Sequence, residues 1–232
     1  MDRLHRTRLL FGDIGVERLR SATAMVVGCG AVGSFAIEAL ARTGVGHLVV
    51  IDFDTVEESN INRQLFALDS TLGCPKTSVA AARIYDINPD IRVDALNMFF
   101  DAHSVIDIRP DVVIDAIDSV ESKVALYHWA SARNIPFISS MGAAQKTDVS
   151  QIKLSTISRT TVCPLASRIR RLVRGTDMPD FPVVYSTQTP VRAFGSASEL
   201  GSNITVTGAF GLMLANWAIN GIISEFTFDT HP

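Results

Sequence analysis

The stretch Val27-Gly28-Cys29-Gly30-Ala31-Val32-Gly33 decides how the rest of the chain is read. It places Gly-x-Gly-x-x-Gly between a short β-rich run, Thr23–Val27, and a segment of helical spacing, Ala31–Thr43, with Phe35, Ala36, Ala39 and Leu40 on one side. The first glycine permits a tight turn, the second lets backbone approach a phosphate or ribose, and the third lets helix pack on strand. The start of such a helix offers free N–H groups and the positive end of a dipole. Asp52 closes the next apolar run, Leu48–Ile51, at the distance where an acid can bind ribose hydroxyls. A tight turn without a ligand is the bland alternative.

Outward from this loop the first half alternates. Helical patterns at Lys76–Asn88 and Lys123–Arg133 separate β-rich runs at Arg92–Asn97, Val112–Ala116 and Phe137–Ser140. Near-continuous apolar strands between helices predict a Rossmann-like, doubly wound α/β sheet, parallel in this half. After Ser140 the alternation ends. Gln151–Leu154 and Val183–Ser186 read as short added strands, antiparallel in the expected fold, and prolines 179, 182 and 190 punctuate a loop-rich stretch of about 175–203. One domain over 1–232 is expected: a nucleotide-binding part at 3–145, a substrate-side insertion with mobile loops at 146–203, and a buried strand or helix at 204–226.

Composition narrows the class. The 232 residues carry a net charge of -3 and 47% hydrophobic side chains, enough chain for a sizeable core and too apolar for disorder. Cys29, Cys74 and Cys163 form no Cys-x-x-Cys pair, which excludes zinc sites built from such pairs and argues for reduced thiols in a cytoplasmic protein. No apolar core follows the basic start Met-Asp-Arg-Leu-His-Arg, so it is not a secretory signal. From Gly201 to Ser224 there is no charge, and the length would cross a bilayer; Asn203, Asn216 and Asn220 with Gly208, Gly211 and Gly221 favour a buried strand plus helix instead. The mean charge also hides a division. Residues 149–176 hold six cations (Lys153, Arg159, Arg168, Arg170, Arg171, Arg174) and no acid, so the remainder is at -9. Arginine-rich segments suit phosphates and base planes; a solvated helix face is the alternative.

Residues after Asp52 point to a triphosphate rather than a dinucleotide. Ser59-Asn60-Ile61-Asn62-Arg63-Gln64 brings amides and a guanidinium close behind Asp52, and Lys76 opens a predicted helix, where a cation is unfavourable unless an anion is bound. Asp118 follows the fourth strand on the same sheet edge as the glycine loop, and a carboxylate facing phosphates is best explained by Mg2+ between them. A surface Arg63, a solvated Lys76 and Asp118 as a helix cap are the respective alternatives.

Together, the glycine loop, Ile51-Asp52-Phe53-Asp54, Asn60-x-Asn62-Arg63-Gln64, Gly73-x-Pro75-Lys76 and Asp115-Ala116-x-Asp118 resemble the adenylating enzymes related to ubiquitin-activating enzyme. His5-Arg6-Thr7-x-Leu9-Leu10, the stretch Ser139 to Asp148, Asp86-Ile87-Asn88-Pro89, Ile157-Ser158-Arg159-Thr160, Pro164-Leu165-Ala166 and Arg168-Ile169-Arg170-Arg171-Leu172 make it most similar to the tRNA threonylcarbamoyladenosine dehydratases within that superfamily. The resemblance implies that Gly28, Gly30 and Gly33 shape the nucleotide loop and that Asp52 binds ribose. It implies that Asn60, Arg63 and Lys76 contact the phosphates of ATP and that Asp118 holds Mg2+. Arg6 would reach the phosphates of the other subunit of a homodimer. The implied reaction is adenylation of the carboxylate of threonylcarbamoyladenosine in tRNA, followed by ring closure with net loss of water. The basic helix, with Arg168, Arg170, Arg171 and Arg174, would bind the tRNA. A sulfur-transfer protein is a further candidate partner, and no membrane is expected. Cys163 departs from the family pattern, which tends to have Asp before Pro-Leu. Two other readings stand beside this one: an adenylyltransferase for the C-terminal carboxylate of a small ubiquitin-like carrier protein, and a non-enzymatic nucleotide-binding module.

Overall fold

The computed structural model describes residues 2–174, 176, 180–191, 194 and 200–226. Its elements are α1 (His5–Ser21), β1 (Thr23–Val27), α2 (Gly33–Thr43), β2 (His47–Asp52), α3 (Lys76–Ile87), β3 (Arg92–Asn97) and β4 (Val112–Asp115), then α4 (Val120–Ser131), β5 (Phe137–Ser140), β6 (Ile152–Thr156), α5 (Pro164–Val173), β7 (Pro182–Ser186) and α6 (Ile204–Ile223). The seven strands form one sheet in the order β3-β2-β1-β4-β5-β7-β6. All neighbours are parallel except β6 and β7, which pair antiparallel from Ile152↔Ser186 to Thr156↔Pro182.

Alternation along the central strands divides the core in two. Ala24, Val26, Leu48, Val50, Val112 and Ile114 face one layer, where Ile37 and Leu40 of α2, Ile84 of α3 and Phe210 and Leu214 of α6 meet them. Met25, Val27, Val49, Ile51 and Val113 face the other, against Leu126 and Tyr127 of α4 and Ala166 and Ile169 of α5. Side chains one residue apart on a strand point to opposite faces, so a strand buried on both faces must be apolar throughout, as β1 and β4 nearly are. Each fully buried leucine or phenylalanine contributes about 1.5–3 kcal/mol over an exposed one.

One expectation changes. The uncharged tail contains no strand among the described residues; Ile204–Ile223 is one helix, capped by the Asn203 side-chain oxygen accepting from the Thr205 N–H. It is long and apolar enough to cross a membrane, yet it packs as a core helix, with Phe210, Leu214, Ala215 and Ala218 fully buried. Its glycines allow close approach rather than weakening the helix. A methyl at Gly211 would stand 2.2 Å from the Val32 carbonyl oxygen, so the helix lies directly on the start of α2. A second finding is new rather than a change: His5–Ser21 is a helix interrupted at Gly12 (φ 72°). Much of the loop expected to be mobile (residues 175, 177–179, 192–193 and 195–199) lies outside the described residues.

Candidate active site

The sheet order reverses between β1 and β4, which are neighbours although β1 connects onward to β2 and β4 to β5. Open α/β sheets bind ligands at this switch point, outside the carboxyl ends of the strands. A cavity of about 570 Å³ opens there.

The glycine loop forms its floor. Gly28 has φ +96°, donates its N–H to the Ile51 carbonyl at 2.8 Å, and would press a side chain to within 2.6 Å of the Ala116 carbonyl oxygen. At Gly33 a methyl would fall 1.7 Å from the Gly28 carbonyl oxygen, so only glycine lets α2 begin this close to β1. Gly30 is different: the nearest atom to an added methyl is Gln64 Nε2 at 3.7 Å, and Gly30 itself lines the cavity. Asp52, at the end of β2, braces the loop. Its Oδ2 accepts from the Cys29 N–H at 2.6 Å and its Oδ1 from the Asp54 N–H at 2.9 Å. Each carboxylate oxygen retains a second acceptor position for a ligand hydroxyl. The Cys29 thiol beneath is fully buried, and burial, then the Asp52 charge, push its pKa well above the usual thiol value, so it stays protonated.

Besides Asp52, the charged side chains of Asp54, Arg63, Lys76 and Asp118 line the same cavity. Lys76 opens α3, is buried, and donates from Nζ to Asp54 Oδ2 at 2.7 Å. Its cation at a helix N-terminus is thereby compensated by a carboxylate the chain itself supplies. Arg63 is half-buried and donates to the Ser59 carbonyl at 2.7 Å and to Asn62 Oδ1 at 2.9 Å. Asp118 is exposed and makes no hydrogen bond or ion pair with any described residue. It is not the cap of α4; Ser119 is, with its Oγ accepting from the Ser122 N–H at 3.4 Å. Asp118 is thus left as a carboxylate facing the cavity.

Asn60 differs from expectation. It is buried and is not among the lining residues; its Oδ1 accepts from the Glu57 N–H at 3.3 Å, and its carbonyl accepts from the N–H groups of Arg63 and Gln64. It therefore shapes the turn that presents Arg63. Arg6 is exposed on α1 and does not line its own chain's cavity.

The far wall is Ser140-Met141-Gly142-Ala143-Ala144, with Leu165 from α5 and Ser202 and Thr207 from the tail. Phe53 and Phe99 stand at the rim, edge to face with ring centroids 5.0 Å apart and each about half exposed. Phe53 sits inside the Ile51–Asp54 motif but is not singled out by it, and Phe99 lies in no motif. Arg168 and Arg171 on α5, and Arg174 just beyond its end, are exposed. Arg170 does not: its guanidinium donates to the Thr160 carbonyl at 2.9 Å and to the Thr160 hydroxyl. Cys163 is buried against this wall, its Sγ 3.5 Å from where a Gly142 methyl would be.

No group of three or more His, Cys, Asp or Glu side chains among the described residues could hold a metal unaided. Asp118 fits the alternative, since Mg2+ is commonly held by one or two carboxylates together with substrate phosphates and water.

A nucleotide-type loop, a ribose-type acid and two cations at one switch point define a nucleotide-binding α/β site, and the chain belongs to the ThiF family, whose profile matches residues 4–230. Within it, the chain is 42% identical over 190 residues to the tRNA threonylcarbamoyladenosine dehydratase of Bacillus subtilis, covering 80% of this chain and 75% of that protein. It is 38% identical to the dehydratase of the same name from Haemophilus influenzae, covering 97% of each. The crystal structure of Escherichia coli tRNA N6-threonylcarbamoyladenosine dehydratase in complex with ATP superposes with a TM-score of 0.90 at 32% identity, covering 98% of this chain and 96% of that one.

Proposed function

We propose that this chain is an ATP-dependent dehydratase of threonylcarbamoyladenosine in tRNA. One observation carries the reading. The glycine loop, Asp52, Arg63, Lys76 and Asp118 all line a single cavity that continues to a wall of small residues beneath the basic helix α5. The dehydratase relatives, one of them seen with ATP, support it.

In this reading the glycine loop and the start of α2 receive phosphate oxygens, and Asp52 accepts from the ribose hydroxyls with its remaining lone pairs. The threonine carboxylate attacks the α-phosphorus and pyrophosphate leaves. Arg63 and Lys76 neutralise the charge that builds on the phosphoryl oxygens. Lys76 would exchange Asp54 for phosphate, and Asp118 would hold Mg2+, which when bound withdraws charge from the leaving pyrophosphate. A neighbouring nucleophilic atom of the same substituent then attacks the acyl carbon. It loses its proton, and AMP departs with the former carboxylate oxygen, so the substrate has lost the elements of water. That second step is intramolecular, so proximity supplies much of its rate and no enzyme nucleophile is needed.

Arg168, Arg171 and Arg174 would contact tRNA phosphates, with Arg170 buttressing the helix. Arg6 would complete the phosphate site of a second subunit. Leu9, Leu10 and Ile14, each at least 70% exposed on the same helix as Arg6, favour a homodimer that covers α1. We place the enzyme in the cytoplasm, with a sulfur-transfer protein as a candidate further partner.

The test offers the protein ATP, Mg2+ and, in parallel, unmodified tRNA, threonylcarbamoylated tRNA and a ubiquitin-like carrier protein. Pyrophosphate release with the modified tRNA only is expected. Release with the carrier protein instead would replace this function by carrier-protein adenylation, and nucleotide binding without turnover would leave a binding module.

A further inference from the structure

Behind the cavity wall lies an ion pair that no step above uses. Lys123, in the first turns of α4, is 3% exposed, and Asp115, the last residue of β4, is fully buried. Lys123 Nζ donates to Asp115 Oδ2 at 3.0 Å, to Ser139 Oγ at 3.3 Å and to the Ser140 carbonyl at 2.8 Å, which uses all three of its protons. Asp115 is equally occupied. Its Oδ2 also accepts from the Ser139 hydroxyl at 2.6 Å, and its Oδ1 accepts from the Ile117 N–H at 3.0 Å.

The surroundings are apolar: Val124, Tyr127, Phe137 and Ile169 pack around the pair. A buried ion pair is weak evidence for stability, because well-packed apolar side chains of similar volume commonly do as well or better. What the pair does supply is a fixed geometry. Through Asp115 and Ile117 it sets the turn that leads to Asp118. Through Ser139 and Ser140 it sets the strand end from which the Ser140–Ala144 wall departs. These are the two sides of the cavity's far half; the first of them also packs on the glycine loop, with the Ala116 carbonyl oxygen 2.6 Å from where a Gly28 methyl would stand.

We propose that Lys123 is a positioning residue for the chemical step, locking the Asp118 turn to the Ser140–Ala144 wall so that the acyl group and the α-phosphate meet in one geometry. This rests on the adenylation reading above. The nucleotide half of the cavity is built on Gly28, Gly30 and Asp52, none of which hydrogen-bonds to the pair.

The test is the double variant Asp115→Asn/Lys123→Met, which removes both charges together and so avoids stranding one of them. AMP affinity by calorimetry should stay within about twofold of wild type, whereas kcat should fall about 10²-fold, the loss expected of a misplacement near 1 Å. A kcat within about threefold of wild type in the folded double variant overturns the proposal, and so does a parallel loss of AMP affinity and kcat, which would mark a general structural role. A wild-type protein that fails to turn over the modified tRNA indicts the adenylation reading instead. The positioning claim is then decided by crystal structures of wild type and double variant with AMP: an Asp118 turn unmoved relative to Ser140 refutes it.

Discussion

A methyl group at Gly33 and one at Gly30 would meet very different surroundings, although both glycines belong to one motif. The first would collide with the Gly28 carbonyl oxygen at 1.7 Å; the second would have Gln64 Nε2 at 3.7 Å as its nearest neighbour and would project into the cavity. Gly33→Ala should therefore lose AMP binding and about 1–3 kcal/mol of stability in urea melts, as overpacking does. Gly30→Ala should lose AMP affinity with an unchanged melt. Equal melting curves for the two would mean that the loop yields at Gly33. These glycines and Asp52 were legible because strand, turn, helix and acid follow one another within a short span of chain. The partners of the charged residues were not. Lys76 is satisfied by Asp54 across an isolated bridge between Thr55 and Pro75, and Lys123 reaches acceptors on two strands. Nothing in local spacing distinguishes a buried lysine in a helix from a solvated one, and only the tertiary placement of α4 on the sheet does.

At the scale of elements, α5 shows how a run of like charges is divided by helical geometry. Ala166 and Ile169 are buried, so Arg168 and Arg171 fall on the outer side, while Arg170 turns back to Thr160. The basic run was readable from composition; which of its members are free was not, because that depends on the turn at Ile157–Thr160 meeting the helix. The expected consequence is specific. Arg168→Glu/Arg171→Glu should weaken tRNA binding, while AMP affinity is unchanged. Its salt dependence should flatten by about 0.7–0.9 log units per log salt for each phosphate no longer engaged. A filter-binding titration over a range of salt checks this, and an unaltered slope would remove α5 from the tRNA surface. Helix α6 teaches the opposite lesson: its uncharged sequence favoured a buried strand plus helix over a membrane span, and the fit of Gly208 and Gly211 against Phe35 and Val32 goes with a single core helix.

For the molecule as a whole, the proposed homodimer, in which the exposed Arg6 would complete the site of a second copy, has a direct test. Arg6→Ala and Asp118→Ala should each be nearly inactive alone. Mixed and re-equilibrated, they should recover up to about a quarter of wild-type turnover if the subunits exchange at random and one of the two sites in each mixed dimer is intact. No recovery after proven subunit exchange would place Arg6 outside the site. The doubly wound sheet itself was legible, because β-rich runs with helices between them admit few arrangements. The helix that seals it was less so, and its position has a further consequence. α2 leaves the ribosome well before α6, which lies on it and follows it in sequence with all the strands but β1 in between. At about 5–20 residues per second, the apolar face of the nucleotide-binding half waits on the order of ten seconds for its cover. During that interval the nascent chain displays Ile37, Leu40 and the sheet face beneath them, so its folding in the cell depends on how well those surfaces are shielded until α6 has emerged.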